Sequence, residues 1–340
     1  MIMSNFKYIF LIGFMITCSS FKAQNEIINL LSSGFEDANK FANAYTQPGS
    51  EALVYSLANG WYNTAKAKGL GSFEISIIAG VSQIGSNSTS FNLDQNEYNF
   101  LEFETGPEIQ QVGTVFGQNS PDIVMNITEG NQTIGSITLP QGLASENIEY
   151  LPNLILQGSV GLPFSTELKL RFLPEIETED VSTQFYGAGL QHEFTDWIPG
   201  SKLLPIAISG FVGYNRFEGS YKFSEQSDLI TSSNESITSE INSWHYALLV
   251  STKLPVINFY GSIGAVSGSA DTRLRGEYTI ESGVAEVQGL TVVDPIRFDT
   301  SVSGLRATLG TKLSLAFFKL NVDYSFQEFN TLNVGINFGI

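Results

Sequence analysis

The last ten residues of the chain, TLNVGINFGI (331–340), alternate between two kinds of side chain without an error. The large apolar side chains are Leu332, Val334, Ile336, Phe338 and Ile340, and every residue between them is small or polar. Successive side chains of a strand point to opposite sides, so this segment has one apolar and one polar face. The apolar face must contact either a protein core or lipid.

The same two-residue period recurs along the chain and predicts ten strands. They lie at about 69–83, 152–162, 165–177, 183–195, 204–221, 242–252, 256–278, 303–316, 319–328 and 331–340. Alternation also occurs in soluble sandwiches and does not identify the apolar partner. The polar faces carry mostly Asn, Ser, Thr and Gly with a few charges of both signs, which is typical of a barrel lumen.

Composition favours the membrane alternative. The 340 residues include 32 Gly, 25 Phe and 13 Tyr, but only 15% are charged, and no long apolar run follows the N-terminal segment. Low charge with many aromatic residues and glycines is usual for a membrane barrel. We therefore expect an all-β protein, a closed antiparallel transmembrane β-barrel of 10–14 strands formed by residues 69–340.

The connections between the strands support a barrel. Short breaks alternate with long polar ones, and the long ones lie near 84–150, 222–241 and 279–302. Outer-membrane barrels have this asymmetry between tight periplasmic turns and extended outer loops. The segment 98–140 is a candidate for an additional hairpin of the wall.

The N-terminal segment has the features of a secretory signal. Lys7 precedes an apolar stretch at 8–16, followed by small residues. We expect residues 1–23 to be removed as a signal peptide, which predicts the outer membrane of a Gram-negative bacterium as the location. The only cysteine, Cys18, lies in this segment, so the mature chain is expected to have no disulfide.

Residues 24–68 do not alternate and have apolar residues at helical spacing. Ser50 is a good N-cap and predicts a second short helix at 51–59, ended by Gly60. This helical leader could lie in the periplasm or in the barrel lumen. Its few charges favour a plug in the lumen.

Charge excludes one class of partner. The net charge is −17, and removal of residues 1–23 leaves 15 basic against 34 acidic residues, or −19. Nucleic acid is therefore an implausible partner. No H-E-x-x-H, G-x-S-x-G or cysteine cluster occurs, so we expect no metal, cofactor or catalytic site and no enzymatic activity.

Nine ionisable residues are predicted to face the lumen: Glu74, Glu167, Lys169, Arg171, Glu193, His245, Arg306, Lys312 and Asp323. They either pair with one another and with the leader, or mark a path for an ion or substrate. His245 could pair with Asp323. His192 is expected near Trp197 at a membrane interface, and Trp61, Tyr62, Trp197 and Trp244 are candidates for an interfacial aromatic belt.

Three segments carry a family resemblance: ANGWYNTAK (58–66), GLPFSTELKLRFLPEIE (161–177) and GAGLQHEFTDWIPG (187–200). They resemble an uncharacterised family of outer-membrane barrels from Bacteroidota, which implies the barrel fold but no activity.

More remotely, Tyr62-Asn63-Thr64-Ala65 before the first strand is similar to a motif in the long-chain fatty-acid transporters. That resemblance implies a hatch inside the lumen and makes Trp61, Tyr62, Asn63, Thr64 and Ala65 the candidate plug motif. Thr64 stands where those transporters have Pro.

Three functions remain open from the sequence. The first is passive transport of a small hydrophobic molecule through a plugged barrel. The second is a structural or partner-docking barrel with a blocked lumen, and the third is a secreted soluble β-sandwich that binds carbohydrate. The expected partners are outer-membrane lipid, a hydrophobic ligand, and the barrel-assembly machinery through the C-terminal strand, although that strand ends in Ile340 and not in Phe or Trp.

Overall fold

The computed structural model describes residues 26–199, 205–223 and 229–340. The predicted signal peptide at 1–23 lies outside these residues. The helix and strands, numbered in chain order, are α1 (Phe35–Leu57), β1 (Phe73–Gln83), β2 (Ser90–Asp94), β3 (Leu101–Phe103), β4 (Ile109–Gly113), β5 (Val124–Glu129), β6 (Gln132–Thr138), β7 (Tyr150–Leu162), β8 (Thr166–Glu177), β9 (Val181–Glu193), β10 (Ile206–Lys222), β11 (Ile230–Thr252), β12 (Ile257–Ile280), β13 (Thr291–Val293), β14 (Ile296–Leu315), β15 (Phe318–Phe326) and β16 (Thr331–Gly339).

Ten of these strands form a closed antiparallel barrel. Their order is β11-β10-β9-β8-β7-β1-β16-β15-β14-β12, and β12 pairs with β11 to close the ring. The short strand β13 adds to the outer part of β12. The ring is closed because each of the ten strands pairs with two neighbours over at least part of its length. The predicted fold class is confirmed, with the strand count at the lower end of the predicted range.

The alternating C-terminal segment faces outward with its apolar side. Leu332, Ile336 and Phe338 are 46%, 38% and 42% exposed, whereas Asn333 and Asn337 are buried in the interior at 0% and 1%. In the register of β16 with β1, Ile336 lies beside Ile77. The apolar face of this strand therefore belongs to the outer surface of the barrel, and the polar face to its interior.

The two ends of the barrel differ. At one end, called here the short-turn end, tight turns such as 163–165 and 316–317 join neighbouring strands. At the other, the long-loop end, residues 84–149 fold into two small sheets, β2–β4 and β3–β5–β6. The segment 98–140 does not enter the wall, so its prediction as a wall hairpin is wrong. Strands β3, β4, β5 and β6 belong instead to these two small sheets, which are called here the outer layer.

The predicted loops at 222–241 and 279–302 are shorter than expected. Strand β11 begins at Ile230 and β14 at Ile296, so residues 230–241 and 296–302 are strand. They pair with β12 in continuous ladders interrupted only between Ser233 and Ser236. These stretches are polar because the wall extends beyond the apolar band there, and a polar strand resembles a loop in sequence.

The leader lies inside the barrel. Helix α1 is one continuous helix that includes Pro48, so the predicted separate helix at 51–59 with Ser50 as its N-cap is wrong. Its N-terminal half packs with the outer layer, where Leu30, Phe41 and Tyr45 share an apolar cluster with Leu101 and Met125. After Leu57 the chain has no regular structure and runs to the short-turn end, where β1 begins.

Candidate functional site

Two arginines of the wall hold the leader where α1 ends. Arg171 donates from Nη1 to the Leu57 carbonyl at 2.9 Å and from Nη2 to the Asn59 carbonyl at 2.6 Å. Arg306 donates from Nη1 to the Ala58 carbonyl at 2.8 Å. The last carbonyls of a helix have no partner within it, and these guanidinium groups supply the donors. The helix end is thereby fixed in the middle of the barrel.

Trp61 fills the interior next to these arginines. The Arg171 guanidinium carbon lies 3.6 Å from the Trp61 ring centroid, and the Phe211 ring centroid is 5.4 Å away. Small wall residues make room for the indole, since a Cβ at Gly189 or Gly213 would lie 2.9 Å from it. At 1% exposure Trp61 cannot belong to an interfacial belt, and that interpretation is also wrong for buried Tyr62.

Tyr62 connects the leader to the wall on the other side. Its hydroxyl lies 3.0 Å from His245 Nε2 and 2.7 Å from Ser262 Oγ. His245 faces the interior at 1% exposure. It is not paired with Asp323, which accepts hydrogen bonds from the Tyr260 hydroxyl at 2.8 Å and from Asn333 Nδ2 at 2.9 Å.

Beyond Tyr62, toward the short-turn end, the leader contacts a layer of charged side chains. Asn63 donates from Nδ2 to Glu74 Oε1 at 3.3 Å and accepts from Lys312 Nζ at 2.8 Å. Lys68 pairs with Glu167 at 3.0 Å and with Glu74 at 3.3 Å. These pairs lie in an interior from which water is largely excluded, where an unpaired charge would be costly.

The neighbouring pairs complete this layer. Lys169 pairs with Glu167 at 2.5 Å, and Lys319 pairs with Glu74 at 2.7 Å. Glu193 accepts from the backbone N–H of Ala67 at 2.9 Å and pairs with Lys253 at 3.3 Å. The short-turn end is therefore closed by a network that joins the wall to the leader.

Lys68 belongs to the leader and carries a perturbed pKa. Burial alone would lower the pKa of its ammonium group, but the nearby carboxylates of Glu167 and Glu74 outweigh burial and hold that pKa above its ordinary value of 10.5. Lys68 is therefore a cation under all physiological conditions. Its charge is a fixed part of the network.

The structure brings the nine predicted lumen residues to the interior, although not into one cluster. Eight are at most 7% exposed, and the Glu193 side chain is 13% exposed. Sequence reasoning missed Lys68, Gln157 and Tyr260, which complete the contacts. Strand alternation would place Gln157 and Tyr260 on the inward face, but a selection of ionisable residues leaves them out. Nothing in the sequence places Lys68 against Glu167.

Of the predicted interfacial residues, His192 and Trp197 lie next to each other. His192 Nδ1 lies 2.9 Å from Thr166 Oγ1, and its ring centroid is 5.2 Å from that of Trp197. Trp197 and Trp244 are 74% and 41% exposed. They face the surroundings of the barrel, unlike Trp61.

Toward the long-loop end the interior becomes apolar. The residues of this region, called here the middle cluster, come from the leader, the wall and the loops: Ala52, Val54, Tyr55, Ala58, Ile78, Phe116, Leu143, Leu151, Ile155, Phe185, Phe217, Ile241, Val266, Ala270, Val302 and Phe329. The interior thus has two halves: a charged half, in which ion pairs and hydrogen bonds hold the leader, and an apolar half, in which the packing of apolar side chains predominates.

The wall has a gap in its pairing beside the middle cluster. Strands β7 and β8 pair only between 157–162 and 166–171. Beyond that point β7 continues to Tyr150, paired with β1, and β8 continues to Glu177, paired with β9. The two strands therefore separate toward the long-loop end. We call this separation the fork.

Two prolines explain why pairing stops there. Pro152 in β7 and Pro174 in β8 are the only prolines within the barrel strands, and both lie in the separated parts. Proline has no N–H to donate to a ladder and is found at strand edges and bulges. The β8–β9 register also shifts between Leu173 and Ile176. The inward side chains of β7 along the fork include Leu151 and Ile155 of the middle cluster.

The outer surface of the wall is apolar. Exposed side chains include Ile75, Leu156, Leu170, Phe172, Leu190, Tyr246, Leu248, Phe259, Ile263, Leu305, Leu309 and Leu332. No helix among the described residues is long and apolar enough to cross a bilayer. The same part of the chain contains no group of three or more His, Cys, Asp or Glu side chains placed to hold a metal ion.

A family model described as "Family of unknown function (DUF6588)" matches residues 3–340. The chain belongs to the DUF6588 family. The match covers the leader and the whole barrel together, so both are parts of one family architecture. A comparison of this DUF6588 member with curated proteins finds no match.

Solved outer-membrane barrels are among its structural neighbours. The attachment invasion locus protein Ail of Yersinia pestis is 10% identical, with 80% of this chain and 100% of Ail covered and a TM-score of 0.26. The translocator domain of the autotransporter NalP from Neisseria meningitidis is 12% identical over 88% of this chain and 96% of that domain, with a TM-score of 0.27.

A Pseudomonas aeruginosa FadL homologue is 9% identical over 87% of this chain and 96% of its own, with a TM-score of 0.22. Superpositions this weak carry no argument about what the DUF6588 member does. The strand pairing of the chain itself defines the barrel. An origin in Bacteroidota stays a prediction.

Proposed function

We propose that the protein is an outer-membrane barrel that lets a small hydrophobic molecule pass from the long-loop end, through the apolar half of the interior, and sideways through the fork into the membrane. Movement is passive and needs no cofactor. The leader closes the charged half, so the route leads into the bilayer and not straight through the barrel.

The exposed apolar surface supports the location in a membrane. Side chains such as Leu248, Ile263 and Leu305 are 56%, 67% and 83% exposed and lie on three neighbouring strands. An apolar band around a closed barrel is the surface that acyl chains cover. A soluble sandwich would turn such residues inward, which makes the secreted-binder alternative unattractive.

The charged half supports a blocked axial route. The carbonyls of Leu57, Ala58 and Asn59 are bonded to buried arginines, and Lys68 is paired with two buried carboxylates. Displacing the leader would leave several buried charges without partners, each costing on the order of a few kcal/mol. A general porin needs an open lumen, which this arrangement does not leave.

The fork is the observation that carries the proposal. It is the place where neighbouring barrel strands, both continuing, stop pairing within the described residues, and it lies beside the middle cluster. An apolar molecule that passes through the fork would move from the apolar middle cluster into the apolar interior of the membrane. The middle cluster is held by packing, so its side chains can move aside without breaking hydrogen bonds.

The test closes the fork covalently. Tyr150→Cys/Glu177→Cys places two thiols on the outer ends of β7 and β8, and a bis-maleimide with a cleavable disulfide joins them. Cells of a Gram-negative host producing this variant are given N-phenyl-1-naphthylamine, which fluoresces when it reaches the membrane. We expect the bridge to reduce uptake to the level of cells without the protein, and reduction of the linker to restore it.

The matched control bridges two strands that are already paired. Ser182 and Ser220 are register partners on β9 and β10, so Ser182→Cys/Ser220→Cys carries the same linker without touching the fork. Uptake by the control should not change. Equal uptake by the bridged and reduced fork variant would overturn the proposal.

A second function is favoured by the outer layer. The two small sheets, with α1 and the outer parts of β11, β12 and β14, form a packed apolar cluster, so the long-loop end presents a folded surface and not only loops. A barrel that docks a partner there is the alternative. It predicts no uptake by the wild type, whatever the state of the fork.

A further inference from the structure

We propose that the short-turn end carries a binding site for a phosphate group. A cleft of about 490 Å³ opens there between the leader and the wall. Five lysines line it: Lys66, Lys68, Lys253, Lys312 and Lys319. The site goes beyond the proposed function, because it lies at the opposite end of the barrel from the opening of the fork.

Among the described residues, lysines predominate over acidic side chains around the cleft. Its lining holds one acidic side chain, Glu74, and the last residue of the sequence, Ile340. The lysines also pair with Glu167 and Glu193, and Lys169 shares Glu167. Six lysines then face three glutamates, so lysines outnumber carboxylate side chains around the cleft. The chain as a whole has a net charge of −17.

Lys312 is the least compensated of these cations. It is 7% exposed, and its Nζ donates a hydrogen bond to a neutral acceptor, Asn63 Oδ1, at 2.8 Å. Among the described residues, no carboxylate lies within ion-pair distance of Lys312 or of exposed Lys66. A buried cation with only an amide partner is destabilising, and an anion in the cleft would supply the missing charge.

The chemistry of the lining fits phosphate. Lysine ammonium groups act as point charges with rotatable donors, and such groups bind the oxygens of a phosphate. The hydroxyl-bearing residues Ser72, Thr252 and Ser314 also line the cleft.

The rim of the cleft is apolar. Leu254 and Ile340 line it and are 46% and 76% exposed, and the carbonyl of Phe73, which is 49% exposed, accepts a hydrogen bond from the Ile340 N–H. A cationic pocket with an apolar rim at a membrane surface suits a phospholipid headgroup. A free phosphate has the same binding chemistry, so the two sources must be separated by experiment.

The test uses the full chain in a maltoside detergent, which carries no phosphate. Binding of inorganic phosphate and of dihexanoylphosphatidylglycerol is measured by titration calorimetry. Lys66→Gln/Lys312→Gln removes the two uncompensated cations, and we expect it to weaken binding about 10-fold or more. The matched control, Lys40→Gln/Lys222→Gln, removes two lysines at the long-loop end and should change affinity less than about twofold.

Every outcome decides the matter. Binding of both probes, or of the phospholipid alone, with loss in the double variant supports the site, and the second pattern assigns it to a lipid headgroup. Binding of inorganic phosphate alone assigns it to a soluble phosphate. Binding of neither probe, or equal binding by wild type and variant, overturns the proposal. Lys66→Gln alone, at an exposed position, should weaken binding about threefold and is the variant to use if the double exchange prevents folding.

Discussion

Gln157 and Arg171 form the last cross-strand pair between β7 and β8, and Arg171 Nε donates to Gln157 Oε1 at 3.0 Å. The same guanidinium group donates to two leader carbonyls and stacks on Trp61. One side chain therefore lies at the base of the fork and also holds the leader. The opening in the wall and the plug meet at this residue.

Arg171→Met should destabilise the barrel. The exchange keeps an unbranched apolar stem but leaves the carbonyls of Leu57 and Asn59 and the Gln157 amide oxygen without their donor. We expect a loss of about 2–4 kcal/mol in the free energy of unfolding. Denaturant titration of the purified protein, followed by the gel shift between folded and unfolded barrel, measures it.

Arg216 provides the control for this exchange. It lies on the outer face of β10 and pairs with Glu218 at 2.6 Å and Glu240 at 2.9 Å, but its side chain is 31% exposed. Arg216→Met should cost under about 1 kcal/mol, because exposed ion pairs contribute little. If the two substitutions lower the free energy of unfolding by similar amounts, Arg171 does not stabilise the barrel more than a surface arginine does.

The pairing of Lys68 predicts a pH dependence. Its pKa is raised in the folded protein, so its contribution to stability is fully present below the ordinary value of 10.5 and is lost as pH rises through the folded-state pKa. The difference in unfolding free energy between wild type and Lys68→Met should be constant from about pH 8 to about pH 10 and should shrink above that.

Comparison with a variant removes the effect of other groups that titrate in the same range, such as tyrosines. Lys222→Met, at an exposed position, is the control and should give a difference near zero at every pH. If the difference in unfolding free energy between wild type and Lys68→Met stays constant up to about pH 12, the ion pairs of Lys68 do not stabilise the fold.

The apolar outer face predicts a cost for a charge in the middle of the wall. Leu248 is 56% exposed on β11, and Leu248→Arg should destabilise the membrane-inserted barrel by about 2–4 kcal/mol. Leu290 lies outside the barrel strands and is 44% exposed, so Leu290→Arg is the control in water. This substitution should lower the free energy of unfolding by less than about 0.5 kcal/mol. Equal costs would mean that Leu248 does not contact lipid.

Alternation was sufficient to predict the barrel. Ten predicted segments correspond to ten wall strands, because a strand with lipid on one side and a polar interior on the other must alternate. Prediction from alternation failed where the strands extend beyond the lipid. Residues 230–241 lie beyond the apolar band and are mostly Ser, Thr, Asn and Glu, so they resembled a loop, although Ile230 and Ile241 are buried on the inner side.

The plug could be predicted only in outline. The composition of residues 24–68 favoured burial, but the register between leader and wall depends on contacts far apart in sequence, such as Arg306 with Ala58. The fork had a signal that was overlooked. Pro152 and Pro174 stand in otherwise alternating strands, and a proline in a strand argues for an edge.

Amide hydrogen exchange of the barrel in a bilayer mimetic tests the existence of the fork most directly. The separated parts of β7 and β8, 150–156 and 172–177, pair on one side only, so about half of their backbone N–H groups lack a strand partner and should exchange fast. The amides of β9 and β10 at 182–188 and 214–220, paired with each other in a continuous register, should be protected. Uniform protection across all four segments would mean that β7 and β8 are joined to their outer ends, and the proposed lateral route would have no opening.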